Sequence, residues 1–149
     1  MIRKARIKDV KHIQALINTF AKKDLMLSRP LSELYEFIRD FWVIVEGKSI
    51  IGCCALHIFW QDLAEVKCLA VAANMQGKGL GKELVTAALA EAKMLGAKKI
   101  FVLTYKPVFF KKFGFKRIRN SALPHMIWAE CIKCCKFPGC NEIALLKVL

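Results

Sequence analysis

No apolar run in this chain reaches the length of about 18 residues that a membrane span needs, so the sequence gives no reason to expect a bilayer partner. Acid is scarce: 12 Asp and Glu stand against 25 Lys and Arg, for a formal net charge of +13. A pocket for a cationic ligand would want several carboxylates, and that class of ligand is disfavoured. Phenolic acids are scarcer still, with only Tyr35 and Tyr105 present. Internal repeats, low-complexity tracts and linkers are missing. The basic start, Met1-Ile2-Arg3-Lys4-Ala5-Arg6, is not followed by the apolar stretch and cleavage site of a secretory signal, so a cytoplasmic location is expected.

What is present is enough for a core. At 149 residues and 56% hydrophobic content, the expectation is one domain over residues 1–149, burying about two-thirds of its unfolded surface. Lys and Arg are spread along the chain, and no basic helix interleaves aromatics, so nucleic acid is not the expected partner. A soluble surface with a phosphate-binding site is the expected meaning of the charge. Of the seven cysteines, Cys53, Cys54 and Cys68 lie in apolar runs, where a free thiol behaves as a small hydrophobe. Cys131, Cys134, Cys135 and Cys140 crowd into ten residues, without the longer gap between two knuckles of a usual zinc site. No metal is expected there, and a reduced loop or a redox-labile pair both remain open.

The periodicities give an order of elements. Residues 2–7 read as a strand. A helix opens at Asp9, a plausible N-cap, with Val10, Ile13, Ile17 and Phe20 at helical spacing. A second helix spans Leu31 to Phe41. Trp42–Glu46, Ile50–Phe59 and Ala64–Val71 read as three strands of an antiparallel meander, the first two joined by a Gly47-Lys48 turn. A long helix runs from Gly79 to about Leu95 on Leu80, Leu84, Ala88 and Ala92, with Gly96 as its C′ residue. Then come a strand (Lys99–Thr104), a short helix (Val108–Phe113), a strand (Phe115–Ile118) and a last strand (Ile143–Val148).

Between the third meander strand and the long helix lies Gln76-Gly77-Lys78-Gly79-Leu80-Gly81. Glycines at a strand-to-helix turn let the backbone approach an anion closely. The first N–H groups of the helix lack intrahelical partners, and its dipole favours negative charge there. Lys78 and Lys82 add cationic charge, so the segment is a diphosphate cradle. It is neither the dinucleotide G-x-G-x-x-G nor the triphosphate G-x-x-x-x-G-K-[ST] loop, since the glycines run G-x-G-x-G and Glu83 follows Lys82.

The pattern Q-x-x-G-x-G, on Gln76, Gly79 and Gly81, resembles the acetyl-coenzyme A signature of the GNAT N-acetyltransferase superfamily. Further segments resemble one branch, the single-domain N-acetylglutamate synthases of arginine biosynthesis. They are Leu31-Ser32-Glu33-Leu34, Ala64 to Val71, Ile100 to Thr104 with Phe109 to Phe115, and Leu123-Pro124 with Trp128, Cys131, Cys134, Phe137-Pro138, Cys140 and Glu142. The resemblance implies the acetyltransferase fold, an α+β architecture with a mixed, mostly antiparallel sheet flanked by helices. It also implies acetyl transfer from acetyl-CoA to the α-amino group of a small amino acid, L-glutamate first, and a possible homodimer. Other acceptors, such as an antibiotic, a polyamine or a protein N-terminus, and a non-catalytic acetyl-CoA sensor are the alternatives.

The implied roles fall on particular residues. Leu69, Ala70, Val71, Gln76, Gly77, Lys78, Gly79, Leu80, Gly81, Lys82 and Phe110 would hold the cofactor, with a backbone N–H near Leu69 facing the developing oxyanion. Glu65 would be the general base that takes the amine proton; the bland alternative is an exposed strand residue or one paired with Lys67. Phe110 stands where many members place a tyrosine acid, which makes Tyr105 the candidate acid. Arg29 matches an arginine used to grip the acceptor carboxylates, and Lys67 is a second candidate. For both, a solvated surface cation is the alternative. His125 stands where a lysine is expected.

Overall fold

Strand-forming runs rich in Val, Ile and aromatics build one seven-stranded sheet in the computed structural model, which describes residues 1–124, 127 and 142–149. The expectations placed on His125, Trp128, Cys131, Cys134, Cys135, Phe137, Pro138 and Cys140 lie outside the described residues. The strands are β1 (Ile2–Lys4), β2 (Phe41–Glu46), β3 (Ser49–Trp60), β4 (Leu63–Val71), β5 (Lys99–Thr104), β6 (Lys116–Arg117) and β7 (Ile143–Val148). Their spatial order is β1-β2-β3-β4-β5-β7-β6. The expected meander is β2-β3-β4, antiparallel throughout. Among the described residues only β4 and β5 pair in parallel, and α3 supplies the crossover that such a pair needs.

Among the described residues, four helices complete the frame: α1 (Val10–Ala21), α2 (Leu31–Glu36), α3 (Leu80–Met94) and α4 (Pro107–Lys111). The apolar stripe of α3 packs Leu84, Ala88 and Ala92 against Leu56, Val66, Ile100 and Val102 of the sheet. On the opposite face, Val10, Ile13 and Ile17 of α1 and Leu34 of α2 cover Val43, Cys53, Ala55 and Ala70. Gly96 takes φ 91° and closes α3, as its position after the last apolar residue suggested.

Several boundaries differ from the sequence reading. The first strand stops at Lys4, because residues 7–9 form a 3-10 turn. Asp9 does not cap α1 through its side chain. Its carboxylate instead accepts the Arg6 N–H at 2.7 Å and a bidentate Arg3 guanidinium at 2.7 and 3.1 Å. The Arg3 hydrogen bond, foremost, holds the Asp9 carboxyl below its ordinary value. The second helix ends at Glu36, and a separate 3-10 turn over Ile38–Asp40 leads into β2. The strand expected over residues 115–118 shrinks to Lys116–Arg117 at the sheet edge.

Cys53, Cys54 and Cys68 are buried and free, as the apolar runs around them implied. Burial raises all three thiols above their ordinary value. The folded chain therefore keeps thiol protons that the unfolded chain gives up. This contribution is fully present below the ordinary thiol value of about 8.5 and is lost as pH rises through the raised folded values. The urea midpoint is expected to fall steadily above about pH 9, and three Cys→Ala or Cys→Ser replacements should flatten that fall.

Candidate active site

The cradle takes its shape from backbone conformations that favour glycine. Gly77 and Gly79 sit at φ 80° and 81°, in the left-handed region that side chains rarely adopt. Gly79 is the N-cap of α3, and its left-handed turn leads straight into the helix that presents the unpartnered N–H groups. At Gly81 the constraint is closeness: a Cβ there would lie 3.3 Å from the ring of Phe109. Gln76 Nε2 donates to the Val71 carbonyl at 3.1 Å, tying the loop to the end of β4. Lys78 and Lys82 are exposed beside it. The glycine turn, the start of α3 and the exposed Lys78 and Lys82 thus lie together at the end of β4.

β4 and β5 open next to this loop. Their parallel pairing covers only Leu63–Glu65 against Lys99–Phe101, so Val66–Val71 and Val102–Thr104 continue without ladder partners between them. On its other edge β4 carries a bulge. Cys53 pairs with Ala70 and Ala55 with Lys67, so two steps along β3 answer three along β4. The extra residue is absorbed at Cys68, which takes φ 55°, an uncommon conformation for a residue with a Cβ. The Cys53 thiol donates to the Cys68 carbonyl at 3.3 Å and braces the bulge. Leu69, the residue expected to offer its N–H to an oxyanion, follows immediately and has no Cα partner in the ladder.

Charged residues from two elements gather at the same bulge. Burial is the largest influence on the Cys68 thiol, but it also feels Arg29, Lys67, Glu65 and Glu33. Arg29, just before α2, pairs with Glu33 at 3.3 Å and keeps 23% of its side-chain surface. It is not a solvated surface cation. Lys67 lays its ammonium 5.6 Å from the Phe37 ring centroid. Glu65 is 6% exposed, which overturns the reading of an exposed strand residue. A mostly buried carboxylate and two cations thus flank one stretch of β4.

The remaining predicted residues are less central. Tyr105 follows the end of β5, on the far side of the opening between the parallel strands, and is half-buried. Phe110, which the family resemblance assigns to the cofactor, is 4% exposed and set edge-on between Phe109 and Phe115. It backs the cradle through Phe109. Sequence reasoning did not single out Glu33, Phe37, Asp40 and His57, which gather near Glu65, Lys67 and Cys68. His57 Nδ1 lies 2.7 Å from Asp40 Oδ2. The alternation along β3 could have placed His57 opposite Glu65, but nothing local marked Asp40.

Comparison with known proteins finds acetyltransferases. The family model described as an acetyltransferase (GNAT) domain matches residues 38–117. An uncharacterised N-acetyltransferase of Chlorobaculum tepidum is 38% identical over 99% of this chain and 96% of its own length. An amino-acid acetyltransferase of Mycobacterium tuberculosis is 37% identical over 87% of this chain and 76% of its own. The N-acetylglutamate synthase of Neisseria gonorrhoeae, solved with coenzyme A and N-acetyl-glutamate, superposes with a TM-score of 0.91 at 28% identity. That match takes in the whole of this chain but only 35% of the Neisseria chain.

Proposed function

The chain belongs to the GNAT acetyltransferase family, and from that premise we propose that it moves acetyl from acetyl-CoA to the α-amino group of L-glutamate. The observation that carries the acceptor is the gathering of Arg29, Lys67 and Glu65 at one β4 bulge beside the glycine cradle. Two cations suit an acceptor with two carboxylates, and a guanidinium can hold one of them bidentately. The shortage of acid elsewhere argues against a cationic amine. Relatives named amino-acid acetyltransferase support the same class of acceptor.

The residues present fit acetyl-CoA: left-handed glycines, a bare helix N-terminus and Lys78 and Lys82 would hold its diphosphate, and Leu69 to Val71 would line the pantetheine arm. Bound there, it supplies an acetyl thioester. Glu65 would take the proton that an α-ammonium group must lose before its nitrogen can attack. The Leu69 N–H would meet the oxygen on which charge develops. Tyr105 would return a proton to the departing thiolate, a modest task because thiols ionise near pH 8.5. Arg29 and Lys67 would fix the acceptor carboxylates.

Thiol release from acetyl-CoA, measured across a panel of amino acids at pH 8, tests the proposal. Turnover is expected with glutamate and at least about tenfold less with glutamine and aspartate. Equal rates with glutamine would remove the charge-based assignment of the acceptor. Coenzyme binding without turnover on any amine would overturn the enzymatic reading.

A further inference from the structure

A base that is 6% exposed needs a way to lose the proton it takes. His57 and Glu65 are direct cross-strand partners in the antiparallel β3–β4 pair, so both side chains leave the same face of the sheet. In such pairs the Cβ atoms stand about 5 Å apart. The imidazole is held on three sides. Asp40 Oδ2 fixes Nδ1 at 2.7 Å, and the Phe37 and Phe59 rings meet it edge-on, each with centroids 5.0 Å away. Asp40 comes from the 3-10 turn on the edge of β3 away from β4. Nδ1 is thus committed to that side, which leaves Nε2 as the ring nitrogen for exchange with the cross-strand Glu65. Side-chain exposure is 19% at His57 and 24% at Asp40, so the series leads from the buried carboxylate outward.

We propose that His57, oriented by Asp40, is a positioning residue that relays to solvent the proton Glu65 removes from the acceptor amine. The inference rests on the acetyl-transfer reading. The amine N–H bond breaks as a Glu65 O–H bond forms. That O–H bond then breaks as Nε2 of His57 takes the proton, and the Nδ1 proton passes by way of Asp40 to water. Glu65 is restored and the imidazole is left as its Nε2–H tautomer, which returns to the Nδ1–H tautomer by proton exchange with water, so no other reactant is consumed. The charged groups around the ring are Glu65 and Lys67 from β4 and Asp40 from the turn, with Arg39 of that turn exposed; α2 adds Arg29 and Glu33 farther along β4. The pairing has a structural alternative, in which Asp40 and His57 merely pin the turn to β3.

The test compares wild type with His57→Gln, His57→Ala and Asp40→Asn in the same thiol-release assay. For His57→Gln, kcat should fall at least about tenfold, with both KM values within about twofold of wild type. Asp40→Asn should move in the same direction by less. Added imidazole should raise kcat of His57→Ala in proportion to its concentration and leave wild type unaffected. A His57→Gln enzyme with unchanged kcat would overturn the relay. So would a change confined to the acceptor KM, or a fall in melting temperature without imidazole rescue. Absence of turnover in the wild type would defeat the acetyl-transfer reading itself, a result distinct from any of these.

Discussion

Glu65→Gln is expected to lower kcat by about 10²–10⁴-fold, the range that removal of a positioned general base costs. Binding of acetyl-CoA should survive, because the proposed cradle is built from Gly77, Gly79, Gly81 and the start of α3, whereas Glu65 stands within β4. Gln keeps the volume of the side chain and stays compatible with the 6% exposure of the site, so a large loss of stability is not expected. The pair of readouts matters. Stopped turnover with retained coenzyme affinity, measured by calorimetry beside the thiol assay, identifies a base. An unchanged kcat would return Glu65 to a purely structural role on β4.

The second large effect falls on the acceptor. Arg29→Ala should raise the KM for glutamate by about 10²-fold, from hydrogen bonds to a charged group worth about 1.5–3 kcal/mol each. The KM for acetyl-CoA should stay within about twofold. Arg29→Lys should recover only part of the loss, since an ammonium cannot offer two parallel donors to a carboxylate. The Arg29–Glu33 contact of 3.3 Å makes a further point. Glu33→Gln frees the guanidinium from its competing carboxylate, so acceptor KM should fall or hold while Arg29→Ala raises it. Steady-state kinetics with glutamate as the varied substrate checks all three variants.

The glycine turn proposed to hold the cofactor was legible in the residues because it depends on local rules. Gly79 and Gly81 at a strand-to-helix turn, with Lys78 and Lys82 beside them, describe an anion cradle before any folding is considered, and the left-handed φ values at Gly77 and Gly79 are what those glycines are for. The stripe of Leu84, Ala88 and Ala92 likewise fixed which face of α3 would be buried. Helix ends were less legible. The pattern Leu31, Leu34, Ile38 and Phe41 kept helical spacing across a real break, because a 3-10 turn at Ile38–Asp40 places apolar residues at nearly the same intervals. Asp9 showed the same limit: a capping residue by type, it was claimed by Arg3 and by the turn before the helix.

The acceptor half depended on contacts between distant segments. Glu65 reads in sequence as one polar residue in a strand, and its burial is decided by β3 and β5 closing on either side of β4. Cys68 gives no sign of its left-handed conformation, which arises only because β4 carries one residue more than β3 across the bulge. Phe110 reads in sequence as core although the family resemblance places it at the cofactor, and in the fold Phe109 and Phe115 pack edge-on against it. Asp40 and His57 are 17 residues apart, and their meeting requires both the premature end of α2 and the register of β3. The sequence by itself determined the element order, the anion cradle and the family resemblance, since each rests on periodicity, glycine conformation or adjacent residues. Tertiary structure decided which charges surround the β4 bulge, because burial and electrostatic coupling are properties of neighbours in space.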